Sequence, residues 1–161
     1  MVKPYLPSLE WYRSGTPPRR LNRTDLRGGQ LLTVPICGGI SVVKHAYPAS
    51  WIVSDHGDWR RIHWGAIEST YSRTPFFSHY APRLREIIFA THPCFADLSE
   101  ALDAEIRRCL GIDTVLPLLS SPTPLIRGYA AQLWADADPQ LSVMDPLMRL
   151  GPDAIFLLFP R

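Results

Sequence analysis

From Trp59 onward the apolar positions recur at helical spacing. Trp59, Ile62, His63, Ala66, Ile67, Thr70 and Tyr71 fall at i, i+3, i+4, i+7, i+8, i+11 and i+12, which defines one continuous face. Arg60, Arg61 and Glu68 lie off it, Asp55 and Asp58 are N-cap candidates, and Pro75 closes the segment. A second helix is expected over 82–89, capped near Ser78. A third is expected over 97–110, with Leu98, Leu102, Ile106, Cys109 and Leu110 apolar and Gly111 as the residue that stops it. A short helix is expected near 142–150, where Ser142 and Asp145 have capping-box spacing and Gly151 follows.

Strand patterns are shorter. The runs 30–36 and 40–44, divided by Gly38-Gly39, predict a hairpin, with Pro35 confining the first run to an edge. A further short strand is expected at 51–53, and the apolar run 154–159 predicts a final strand. Residues 1–30 are rich in proline and glycine and irregular. The resulting expectation is an α+β or mixed α/β fold: a single small domain over 1–161, with a short sheet packed against three to four helices and an abbreviated N-terminal part over 1–30.

Composition narrows the function classes. Of 161 residues, 17 are Lys or Arg and 15 are Asp or Glu, a net charge of +2, which excludes a strongly basic nucleic-acid coat and an acidic tail protein. No window reaches the roughly 18 apolar residues of a membrane-spanning helix. The N-terminus lacks a secretory apolar region. Three cysteines with no close pairing point to reduced thiols, and with them to a cytoplasmic protein. Of the positive charges all but Lys3 and Lys44 are arginine. Five of these arginines fall between Arg13 and Arg27 against Asp25 alone, either a solvated loop or an anion-binding one.

Candidate chemistry centres on His63, whose place in the apolar face turns its ring inward, as a core residue or as an acid–base group. Neither standard glycine-rich phosphate cradle occurs, so no nucleotide cofactor is expected. Asp55, His56, Asp58 and His63 match no common ligand set, and helix capping accounts for both aspartates, so no metal is expected either. Cys109 lies on an apolar helix face and reads as a packing residue. Residue pattern alone does not disclose a reaction.

Several segments, taken in order, resemble the WbqC-like family of bacterial proteins. They are the opening Tyr5-Leu-Pro-Ser-Leu-Glu-Trp-Tyr12; Leu21-Asn-Arg23 with Gly29-Gln-Leu-Leu-Thr-Val-Pro-Ile36; Ser54-Asp-His-Gly-Asp-Trp59 with Ile62-His-Trp64, Tyr71 and Thr74-Pro-Phe-Phe77; Leu110-Gly-Ile112; Tyr129 and Gln132; and Leu141-Ser-Val-Met-Asp145 with Leu150-Gly-Pro-Asp153. The chain departs from the family pattern in three places. Only 13–20 stands where a helix and a strand are usual, Leu21 replaces the first Arg of Arg-Asn-Arg, and Pro146 follows Asp145 where leucine is usual.

The resemblance implies a transferase of O-antigen or other surface-polysaccharide biosynthesis, with glycine or another aminoacyl group passed to a sugar. Under that implication His63 is the catalytic base. Asp145 orients its ring or binds the acceptor amine, Asn22 and Arg23 hold an anionic donor, and Trp64 and Tyr71 shape the pocket. The partner is then a small or sugar-linked substrate, with neither nucleic acid nor a membrane span involved. The shortened N-terminus implies an alternative, a non-catalytic binding or scaffold protein of the same fold.

Overall fold

A tight hairpin, the helix laid along it and a short helix at 144–150 position the candidate residues that the structure describes. The structure is a computed structural model, and it describes residues 23–45, 50–112 and 141–158. Strands β1 (Arg23–Leu26) and β2 (Gln30–Thr33) pair antiparallel in the register Arg23 to Thr33, Thr24 to Leu32, Asp25 to Leu31 and Leu26 to Gln30. The connecting Arg27-Gly28-Gly29 turns on two consecutive positive φ angles, 89° and 80°, a conformation open to glycine at little cost. The hairpin therefore forms one step earlier in the chain than the pattern predicts.

Gly38 and Gly39 do not divide two strands. They turn the chain from Ile36 into a short helix, α1 (Gly39–His45), so the expected strand over 40–44 is helical. Tertiary pairing accounts for the difference. Ile36 is already bridged to Val53 and Ile52 to Cys94, so the 51–53 segment takes the partner position that a second strand would have filled. Ile36 and Val53 of the first bridge face the core, as do Trp51 and Phe95 beside the second, whose rings lie 5.3 Å apart.

Helix α2 (Trp59–Tyr71) follows a short 3-10 turn at His56–Asp58. Asp58 occupies the N-cap position in a left-handed conformation, but neither aspartate caps with its side chain. Asp55 pairs with Arg60 and Asp58 with Arg61 instead. The buried stripe is Trp59, His63, Trp64, Ile67 and Tyr71, while Ile62 is 62% exposed. The helix is rotated slightly from the predicted face because Trp64 packs beside Phe77 of the next helix. Burying an indole removes more apolar surface from water than burying an isoleucine.

Helix α3 (Phe77–Phe89) begins five residues before the expected start and carries Pro82 inside it, where the ring forfeits one backbone hydrogen bond. Helix α4 (Phe95–Cys109) ends as predicted. Gly111 has φ 70°, and the Ile112 N–H reaches back to the Arg107 carbonyl at 2.8 Å, closing a Schellman motif. Cys109 is buried, and desolvation pushes its thiol up to about 12, consistent with a packing role.

The last described elements are α5 (Met144–Leu150) and a 3-10 helix over Gly151–Leu158, which replaces the expected final strand. Ala154 and Leu157, both buried, are spaced three apart, matching the three-residue turn of a 3-10 helix and not the alternation of a strand. Among the described residues the architecture is thus five α-helices and a two-stranded antiparallel sheet, a small α+β arrangement. No helix among them is long and apolar enough to cross a membrane.

Candidate functional site

The α2 stripe carries His63 and Tyr71 along the hairpin. The His63 ring stands 2% exposed beside Trp59, edge to face with ring centroids 5.0 Å apart. Nε2 lies 3.1 Å from the Thr33 carbonyl at the end of β2. A carbonyl oxygen only accepts, so Nε2 carries the proton and donates it. Burial lowers the imidazole from its usual 6.5 to about 4, against a smaller opposing effect of the Thr33 carbonyl. At neutral pH the ring is therefore uncharged, with its lone pair on Nδ1, and Nδ1 has no hydrogen-bond partner. This is the protonation state that a general base requires.

Eight residues further along α2, Tyr71 belongs to a different group. Asp145, at the start of α5 and 2% exposed, accepts from Arg27 Nε at 2.7 Å and from a second Arg27 nitrogen at 2.8 Å, a two-pronged fork. Arg149 reaches the same carboxylate at 3.5 Å from one turn along the helix. The Arg27 backbone N–H donates to Tyr71 Oη at 3.3 Å. Desolvation pushes the Tyr71 phenol up to about 12, with the Asp145 charge adding to it.

The predicted pairing of Asp145 with the His63 imidazole is absent from this geometry. His63 bonds Thr33, Asp145 bonds Arg27 and Arg149, and at 1.5 Å per residue the helix separates the His63 and Tyr71 positions by about 12 Å. The hairpin spans a similar length, with Arg23 opposite Thr33 at the His63 end and Arg27 in the turn at the Tyr71 end. Arg23 is exposed, and Trp64 is buried against Phe77. Asn22 lies outside the described residues. The structure thus links His63 to Thr33, the register partner of Arg23, at one end of the helix, and Tyr71 to Asp145 through Arg27 at the other.

Three participants escaped the sequence reading. Arg27 was one of five clustered arginines, and only its place before Gly28-Gly29 distinguishes it. Arg149 stands four residues after Asp145, the spacing of a helical ion pair. Thr33 contributes a backbone carbonyl, which no side-chain pattern announces.

The sequence model of the WbqC-like protein family matches residues 12–127. The chain belongs to the WbqC-like family. No curated protein and no solved structure matches it. The matched span contains Asn22, Arg23, Arg27, His63, Trp64 and Tyr71, whereas Asp145 and Arg149 of this WbqC-like chain lie beyond it.

The fork between the hairpin turn and α5 is tested by Asp145→Asn. The variant keeps the shape but loses the charge that strengthens both hydrogen bonds, and Arg27, 46% exposed, regains solvent in its place. Urea unfolding at neutral pH is expected to show a loss of roughly 1–3 kcal/mol. In a double-mutant cycle with Arg27→Gln, most of that loss is shared between the two changes. Fully additive losses would show that the fork contributes nothing.

Proposed function

We propose that this WbqC-like chain is a transferase of surface-polysaccharide assembly that passes an aminoacyl group, glycine in the activity suggested for the family, to a sugar amine or hydroxyl. The observation that carries the reading is the neutral His63 imidazole, held by Thr33 through Nε2 and with the Nδ1 lone pair unengaged. In this reading Nδ1 takes the acceptor's proton as the acceptor attacks the acyl carbon. The new C–N or C–O bond forms while the bond from acyl carbon to donor leaving group breaks, and the electron pair departs with that group. In the same reading Arg23 receives the anionic donor together with Asn22, which lies outside the described residues, and Trp64 and Tyr71 shape the pocket, Tyr71 from about 12 Å along α2. Asp145 acts as a positioning residue for Arg27 rather than for the imidazole.

His63→Gln separates base from scaffold, because the glutamine amide can still donate to the Thr33 carbonyl but cannot take a proton. Turnover of an aminoacyl donor with a purified sugar acceptor is expected to fall about a hundredfold or more. Unchanged donor consumption in a folded His63→Gln protein would refute the mechanism. The second reading, a non-catalytic scaffold, is favoured by the near-complete burial of both His63 and Asp145. It predicts no turnover in the wild-type protein and no effect of His63→Gln on any bound sugar.

A further inference from the structure

Trp59 does more than fill the core beside His63. The bond from Nε2 to the Thr33 carbonyl holds one atom of the imidazole, and a ring whose χ2 torsion is soft needs a second contact to fix its plane. Trp59 supplies that contact from one turn earlier on α2, edge to face at an interplanar angle of 76°. The indole is itself held. Its N–H donates to the Ser54 carbonyl at 2.9 Å, and the Arg60 guanidinium lies over the ring, 4.7 Å from the centroid, while also bonding Asp55. Ser54 in turn donates its backbone N–H to the Pro35 carbonyl at 2.9 Å, two residues beyond Thr33. The contacts therefore close a circuit, from Thr33 through Pro35, Ser54 and Trp59 to His63 and back to the Thr33 carbonyl. Positive φ angles at Gly57 and Asp58, 80° and 50°, turn the chain between Ser54 and Trp59. Asp55 and Arg60 neutralise one another there, and burial and the Thr33 carbonyl govern the proton affinity of the ring.

We propose that Trp59 is the positioning residue of His63, and that this circuit, beyond the Thr33 bond alone, keeps the proton on Nε2 and the lone pair on Nδ1. Either nitrogen of a neutral imidazole can carry the proton, and the partner of one decides the state of the other. With the indole in place, Nε2 cannot swing away from the carbonyl without losing the ring contact as well. The Ser54-Asp-His-Gly-Asp-Trp59 stretch thereby acquires a task, since its first residue anchors its last. The consequence for turnover rests on the reading of His63 as the base, whereas the consequence for the ring itself does not.

Proton–nitrogen correlation spectra of the nitrogen-labelled full chain at neutral pH read the tautomer directly, and the His63 ring signals are those missing from His63→Gln. Wild type is expected to show the Nε2-protonated form alone. Trp59→Leu removes the ring contact and is expected to add a population protonated on Nδ1. Trp59→Phe keeps a ring but loses the bond to Ser54, and a smaller population of the same kind is expected. Should Trp59→Leu fail to fold, Trp59→Phe carries the comparison. Phe95→Leu, a core deletion against Trp51, is the control and is expected to leave the His63 signals in place. In an aminoacyl-transfer assay Trp59→Phe is expected to lower kcat about tenfold with KM within about twofold of wild type. An unchanged tautomer in every folded Trp59 variant, or the same spectral change in Phe95→Leu, would overturn the proposal. A changed tautomer with unchanged turnover would uphold the task assigned to Trp59 and refute His63 as the base.

Discussion

Gly151→Ala is expected to lower the unfolding free energy by roughly 2–6 kcal/mol, combining backbone strain of about 1–3 kcal/mol with overpacking of similar size. Gly151 ends α5 at φ 60° and ψ −134°, a region that side chains with a Cβ rarely enter. A Cβ there would meet three atoms of the Phe76 ring at 2.5 to 2.7 Å. That ring cannot yield easily. The Phe76 backbone N–H is bonded to the Met148 carbonyl at 3.1 Å, and its ring stacks against Tyr80 of α3. The contact joins α5, and hence Asp145, to the start of α3. Gly65→Ala is the control, since it sits inside α2 with nothing within 4 Å of the added carbon. That substitution is expected to be neutral or to stabilise by up to about 1 kcal/mol. Equal urea midpoints for Gly151→Ala and wild type would show that the close approach is not a constraint.

The second large effect is acid sensitivity. His63 has its proton affinity lowered by burial from 6.5 to about 4, so in mildly acidic solution the unfolded chain binds a proton that the folded chain refuses. Above pH 6.5 the residue is neutral in both states and contributes no slope. As pH falls from 6.5 towards 4, stability drops by about 1.4 kcal/mol per pH unit, and by about 3 kcal/mol across the window. Below that window both states are protonated and the slope disappears again. Carboxylates titrate nearby, so the informative quantity is the difference between wild type and His63→Gln, measured by urea unfolding at pH 7, 5.5 and 4.5. Parallel stability curves would mean that the ring is solvated and ordinary, and would also weaken its assignment as a poised base.

What could be read in advance follows the range of the interactions. The stop of α4 at Gly111 was legible because a Schellman closure is local: three residues and their backbone bonds determine it. The helical stripe from Trp59 to Tyr71 was legible for the same reason, since its period is set within one turn. The expected strands at 40–44 and 154–159 became helices because a strand depends on a partner that local pattern cannot name. Ile36 had its partner in Val53, and the 154–158 segment packed on a three-residue repeat.

The candidate site divides along the same line. The sequence by itself determined that His63 faces inward, that Tyr71 lies on the same stripe, and that the chain resembles the WbqC-like family. Each of these rests on helical periodicity or on ordered motifs. Only the tertiary structure decided which groups meet. It gave His63 the Thr33 carbonyl and Asp145 the Arg27 fork, a contact spanning 118 positions in the chain. The physical reason is that a buried charge or ring nitrogen takes the partner that packing brings within hydrogen-bonding distance, and that distance is set by how α2, α5 and the hairpin pack.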